Sequence, residues 1–268
     1  MSKTTMIPPE AALAFGKNVS REAVFAYPQF EELQALLKMS LSERSMALVT
    51  GKAGIGKTTG IRSFTSGLPS SRYTVIYFGQ DQDGVSFLQR FAYALGFKPK
   101  HFRIQLPMQV SQALHEKMHE SGKEILAIVD EAHLLDSRTL EDIRLLTNSE
   151  FDTQSPLSVV MVGQQLLRMK LKAPELEALN QRLRYRFFLE GFSCEETAAY
   201  IKHRLSSAGF SQDLFTDDAI QKIFDASEGV LREINNLCAL ALMKAQASGS
   251  ERVDGKLIKL LVSQLDLS

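Results

Sequence analysis

The chain has 268 residues, of which 44% are hydrophobic and 23% charged, ordinary values for a soluble globular protein that buries a core without covalent staples. Lys and Arg number 31, as do Asp and Glu, so overall charge points to neither nucleic acid nor acidic substrates, and any such partner must be met by a local patch. Cys194 and Cys238 form no CxxC pair and read as reduced thiols; no apolar stretch reaches the ~18–20 residues of a bilayer span, and MSKTTMIPPE lacks the apolar core of a secretory signal, so a cytoplasmic location without a membrane is expected.

In chain order, short apolar runs alternate with longer periodic segments. Residues 45–50 (SMALVT) read as a buried strand and 56–66 as a helix. Residues 73–78 (YTVIYF), 125–130 (ILAIVD), 157–162 (LSVVMV) and 184–189 (RYRFFL) read as further strands. Helical patterns over 84–95, 110–121 and 138–149 fill the gaps. Strands alternating with helices predict a parallel sheet covered on both faces, a three-layer αβα arrangement. Near-continuous apolar strands are what such a sheet requires. After residue 191 the strands stop. Ser193-x-x-Glu196 has capping-box spacing and opens a helix over 193–207. Helices over 216–226, 230–247 and 253–265 follow. The expected division is an N-terminal extension (1–20), an α/β core (21–190) and a small helical lid (191–268).

The chemistry begins at GKAGIGKT, Gly51 to Thr58. Gly51, Gly56, Lys57 and Thr58 occupy every fixed position of a phosphate loop, with a strand before and a helix after. The backbone of Gly51, Lys52, Ala53, Gly54, Ile55 and Gly56 is expected to wrap phosphates with its N–H groups. Lys57 would reach the β- and γ-phosphates of ATP, Thr58 would ligate Mg²⁺, and Thr59 continues the cradle. In ILAIVDEAH the buried strand delivers Asp130 to its carboxyl end, where it holds Mg²⁺ through water. Glu131, one residue on, orients or deprotonates the attacking water. LSVVMVGQ brings Gln164 to the same edge, suited to sensing the γ-phosphate. Arg182, with Arg184 as competitor, is placed to complete a neighbouring subunit's site as an arginine finger. Arg232, near the start of a lid helix, is a cation that would couple the lid to the nucleotide.

These elements, in this order, resemble the AAA+ ATPases over roughly residues 20–268. Within that superfamily VDEAHLL, VVMVGQQLL, LNQRL and EGVLREINNLC resemble one branch. It contains the TniB/TnsC-like ATPase partners of DDE transposases and the ATPases of the general secretion pathway. The resemblance implies an AAA+ P-loop NTPase core with a helical lid. It makes Asp130 and Glu131 the Walker B pair, Gln164 sensor 1 and Arg232 sensor 2. It further implies an ATP-dependent ring or filament of the chain on double-stranded DNA, handing a target site to a transposase. Secretion members carry a membrane span and a periplasmic region, which shifts the expectation towards transposition.

Two basic segments are candidates for DNA phosphates. One contains Lys98, Lys100 and Arg103; the other contains Lys170 and Lys172. Such contacts would be to the backbone, with little sequence preference. In VFAYPQF, Phe25 and Tyr27 suit either the neighbourhood of an adenine or a hydrophobic plug between core and lid.

Overall fold

The computed structural model describes residues 7–16, 24–79, 85–99, 105–147 and 155–265. The chain divides into two compact units, one comprising Gln29–Gly51 and Lys57–Leu189, the other Met1–Pro28, Lys52–Gly56 and Glu190–Ser268.

The larger unit is built on five parallel strands, β1 (Met46–Gly51), β2 (Tyr73–Phe78), β3 (Glu124–Val129), β4 (Ser158–Gly163) and β5 (Leu183–Leu189), in the order β2-β3-β4-β1-β5. Strands β1 and β4 are buried at every position, and β3 at all but its first. They are covered on both faces, which is why their sequences are unbroken apolar runs. The edge strand β2 alternates towards its end, with Val75 and Tyr77 exposed and Ile76 and Phe78 buried.

Helices α1 (Pro28–Ser42), α2 (Lys57–Ser66), α3 (Phe87–Ala94), α4 (Leu106–Ser121), α5 (Ser137–Leu146), α6 (Gln165–Lys170) and α7 (Glu177–Arg182) complete this unit. One core cluster joins Leu33, Leu37 and Leu41 of α1 and Ile61 and Phe64 of α2 to Val49, Ile128 and Val162. The other joins α3, α4 and α5 to Leu48, Ile125, Val129 and Met161. Inside it Phe78 stacks on Phe91 at 5.0 Å and lies 4.8 Å from Phe87. Each such ring contributes roughly 1.5–3 kcal/mol by leaving water.

Strand β2 has the expected bounds, β5 begins one residue early, and β1, β3 and β4 are each displaced by one residue. Asp130 and Gln164 stand immediately after the last residues of β3 and β4. Helix α1 is an element that the sequence reading did not assign. Helix α4 begins four residues before its expected start.

The smaller unit contains α8 (Cys194–Ser207), α9 (Asp217–Ser227), α10 (Leu231–Ala247) and α11 (Gly255–Leu265). Helix α8 opens with the expected capping box, Ser193 accepting from the Glu196 N–H while Glu196 accepts from the Ser193 N–H. Thr216 caps α9 by accepting from the Ala219 N–H. The 3₁₀ segment Pro9–Phe15 packs on α8 and α10. It is held by Arg204, a buried guanidinium that donates to the carbonyls of Ala14 (2.8 Å) and Gly16 (2.8 Å) and to the Tyr200 hydroxyl (2.9 Å). A buried cation persists only when its donors are met in this way.

Phe25 and Tyr27 stand in one aromatic cluster with Phe192 and Tyr200, with ring centroids 4.7–5.9 Å apart. The cluster gives Phe25 and Tyr27 a packing role inside this unit. Burial, with Glu196 and Tyr200 nearby, pushes the Tyr27 hydroxyl well above its usual pKa.

Candidate functional site

Sheet order decides what meets at the carboxyl edge. Strand β4 lies between β1, which leads into the glycine loop, and β3, which leads into Asp130. Register pairs Val129 with Met161 and Thr50 with Gly163. The residues that follow these strands therefore emerge side by side, where ligands sit in open parallel sheets.

Asp130 is almost fully buried, at 7% exposure, and its carboxylate is held by three donors. The Glu131 N–H donates to Oδ1 at 2.8 Å, and the hydroxyls of Thr58 (2.9 Å) and Tyr77 (2.8 Å) both donate to Oδ2. The Asp130 N–H continues the β2–β3 ladder by donating to the Phe78 carbonyl at 2.8 Å. Partial burial, then the bond to Asp130, raises the Tyr77 pKa, so the phenol stays protonated and donates. Lys57 heads α2, is 6% exposed, and donates from Nζ to the Gly51 carbonyl at 3.0 Å.

Glu131 follows Asp130 with φ 52° and ψ 32°, a left-handed conformation that a glutamate rarely adopts. Its side chain is partly exposed. Its Oε2 lies 3.4 Å from Nδ1 of the buried His133. The same Nδ1 lies 3.4 Å from the Gln164 N–H. One nitrogen cannot donate to the first and accept from the second, so the two contacts belong to alternative proton placements on the ring. Gln164 itself is the N-terminal cap position of α6 and is half-buried. The sequence reading assigned no role to Tyr77 or His133. The histidine sits inside the DEAH stretch, which was the available signal.

Arg182 ends α7, is half-buried, and donates to Thr147 Oγ1 at 3.4 Å. Arg184 is exposed on β5 and pairs with Glu43 at 3.2 Å. Of the basic candidates, Lys98 and Lys172 are exposed. Lys100 and Arg103 lie outside the described residues. Lys170 departs from expectation. Its ammonium donates to the carbonyls of His133 (3.0 Å) and Leu135 (2.6 Å), because the short α6 folds back over that turn. It is engaged within its own unit instead of being offered to phosphates.

In the smaller unit, the turn Glu228–Gly229 has φ 49° and 72° and leads into α10. Val230 supplies no side-chain cap to that helix. The carbonyl of Gly54 does so instead, accepting from the Arg232 N–H at 3.1 Å. The Arg232 side chain lies over Gly54, where an added Cβ would come 2.7 Å from Arg232 Cβ. Lys52 pairs with Glu228 and holds that carboxylate below its usual pKa.

These residues fit a magnesium–nucleotide complex. Gly54 and Gly56 take φ of 76° and 103°. Among the described residues, the N–H groups of Gly54, Ile55 and Gly56 donate to no acceptor. Turned-in amides without acceptors at a helix start are a phosphate-binding arrangement. Thr58 and Asp130 would hold Mg²⁺ and Lys57 the phosphates.

Comparison with known proteins agrees with this geometry. Residues 39–171 match the sequence model of a family described as AAA domain. Cdc6p from Pyrobaculum aerophilum superposes with a TM-score of 0.67 at 16% identity, over 93% of this chain and 69% of that one. The fold is that of the AAA+ P-loop NTPases. The ORC1 protein of Aeropyrum pernix, solved in complex with DNA, gives 0.63 at 14% identity over 95% of this chain and 69% of that one. At these identities both likenesses speak for the AAA+ fold alone. In sequence the chain is similar to general secretion pathway protein A of Aeromonas hydrophila, 33% identical over 208 residues. That match takes in 77% of this chain and spans 38% of the relative's length. Among the described residues no helix is long and apolar enough to cross a membrane.

Proposed function

We propose that this AAA+ chain is a Mg²⁺-dependent ATPase that works as a switch. The observation that carries this reading is the Thr58 hydroxyl lying 2.9 Å from the buried carboxylate of Asp130, with Glu131 next in the chain. Lys57 and the amides of the loop bind the phosphate oxygens and align them. Magnesium, held by Thr58 and Asp130, would supply charge neutralisation for the phosphates. Glu131 accepts the proton of the attacking water, and His133 Nδ1 either donates to Glu131 or accepts from the Gln164 N–H, according to where the ring carries its proton. Arg182 serves a neighbouring protomer's site and Arg232 reports nucleotide to the lid.

Glu131→Gln tests the assignment. The variant should bind ATP with near wild-type affinity in equilibrium binding while turnover falls by a factor on the order of 100 or more. Normal turnover would remove Glu131 from this role.

We further propose that ATP drives assembly of the chain on double-stranded DNA in the cytoplasm, where it serves a DDE transposase. The motif resemblance supports this, as do the exposed Lys98 and Lys172. The DNA-bound ORC1 structure supports it too, as one case of this fold engaging DNA. The measurement is ATPase rate and sedimentation with duplex DNA at rising salt. DNA should stimulate turnover and promote assembly, and both effects should fade steeply with salt. The secretion relative favours a second reading, a nucleotide-gated protein-assembly ATPase. It predicts turnover indifferent to DNA.

A further inference from the structure

Tyr77 is exposed at 56%, on the outer-edge strand β2. A ring so placed contributes little burial. Any polar residue would suit an exposed edge position equally well. What sets this side chain apart is where its far end goes. Its hydroxyl donates to Asp130 Oδ2 at 2.8 Å. Gly79 leaves the room for this course, since a Cβ there would come 3.2 Å from Tyr77 Cε1.

A carboxylate offers about four acceptor positions. At Asp130 the Glu131 N–H takes one on Oδ1, while Thr58 and Tyr77 take those on Oδ2. One position on Oδ1 is left for the hydration shell of a cation. The three donors are not equivalent. The Glu131 amide is fixed by the backbone. The Thr58 hydroxyl is a rotor on the residue that would itself ligate the metal. The Tyr77 phenol is rigid and comes from β2, an element that carries no other part of the site. It is the donor that holds Oδ2 in place whichever way Thr58 turns.

We propose that Tyr77 is a positioning residue for Asp130, fixing the carboxylate so that its remaining acceptor position faces the cation. The proposal rests on the ATPase reading above and adds a residue to it. It predicts an effect confined to the metal. Tyr77→Phe keeps the ring and removes only the donor.

The experiment is calorimetric titration of the full chain with ADP, once in EDTA and once in MgCl₂, for the wild type and Tyr77→Phe. The wild type should bind ADP more tightly with Mg²⁺. The variant should match it within about twofold in EDTA and bind about tenfold more weakly in Mg²⁺, the scale on which loss of a ligand's outer hydrogen-bond partner weakens metal binding. The Mg²⁺ concentration for half-maximal turnover should rise in step. Equal affinities in both buffers, or an equal loss in both, would overturn the role of Tyr77 and leave the ATPase reading standing. A wild type that binds ADP in neither buffer would overturn both.

Discussion

Lys57 carries its charge where solvent hardly reaches, at 6% exposure, with the Gly51 carbonyl as one acceptor. At the start of α2 that ammonium stands where a phosphate loop would need it. Lys57→Met keeps the aliphatic stem and removes the charge. We expect ADP affinity to fall at least about tenfold, some 1.4 kcal/mol, and ADP to raise its thermal midpoint less than that of the wild type. Thermal melts with and without nucleotide check both halves. A variant less stable and equally able to bind would show Lys57 to be structural. Glu131 has a similar character. Its left-handed backbone costs about 1–2 kcal/mol, and its carboxylate lies beside the buried His133 ring. Lys57, Thr58, Asp130 and Glu131 were legible because loop spacing and a strand ending in Asp-Glu are local patterns. Tyr77 was not, because period-two alternation says only that its side chain leaves the sheet, and not how far its hydroxyl reaches.

At the scale of elements, legibility followed burial. The strands covered on both faces announced themselves as apolar runs, and α8 and α9 announced themselves by their caps. Helix α1 was harder. Its buried Leu33, Leu37 and Leu41 recur every four residues, but it opens with Pro28 and no Ser, Thr, Asp or Asn stands among the four residues before it. The capping box of α8 yields a direct test. Ser193→Ala should cost about 1 kcal/mol, lowering the thermal midpoint by about 2–4 °C in a chain of this size. No shift would mean that the box contributes nothing beyond solvent. Gly54 belongs to another element contact with no sequence signature, its carbonyl capping α10 far along the chain. Gly54→Ala meets both a φ of 76° and a 2.7 Å approach to Arg232 Cβ. It should weaken nucleotide binding and destabilise by more than about 1 kcal/mol, as read by calorimetry and urea unfolding.

Across the whole molecule the two thiols act as natural reporters. Cys238 is fully buried and its thiol is pushed well above the usual pKa by that burial, whereas Cys194 is half-buried with Gln221 beside it. A thiol reagent at neutral pH should modify Cys194 readily and Cys238 only as α10 unfolds. Simultaneous labelling of both would contradict the packing of α10. The division into units also cuts across the chain in a way that sequence order conceals. Lys52–Gly56, the middle of the phosphate loop, packs with the C-terminal helices, while the residues on either side of it belong to the sheet. A chain truncated after Leu189 would retain Lys57, Thr58, Asp130 and Glu131 and still lose the donor that holds Gly54. We expect a fragment ending at residue 189 to bind nucleotide more weakly than the full chain, as read by calorimetry.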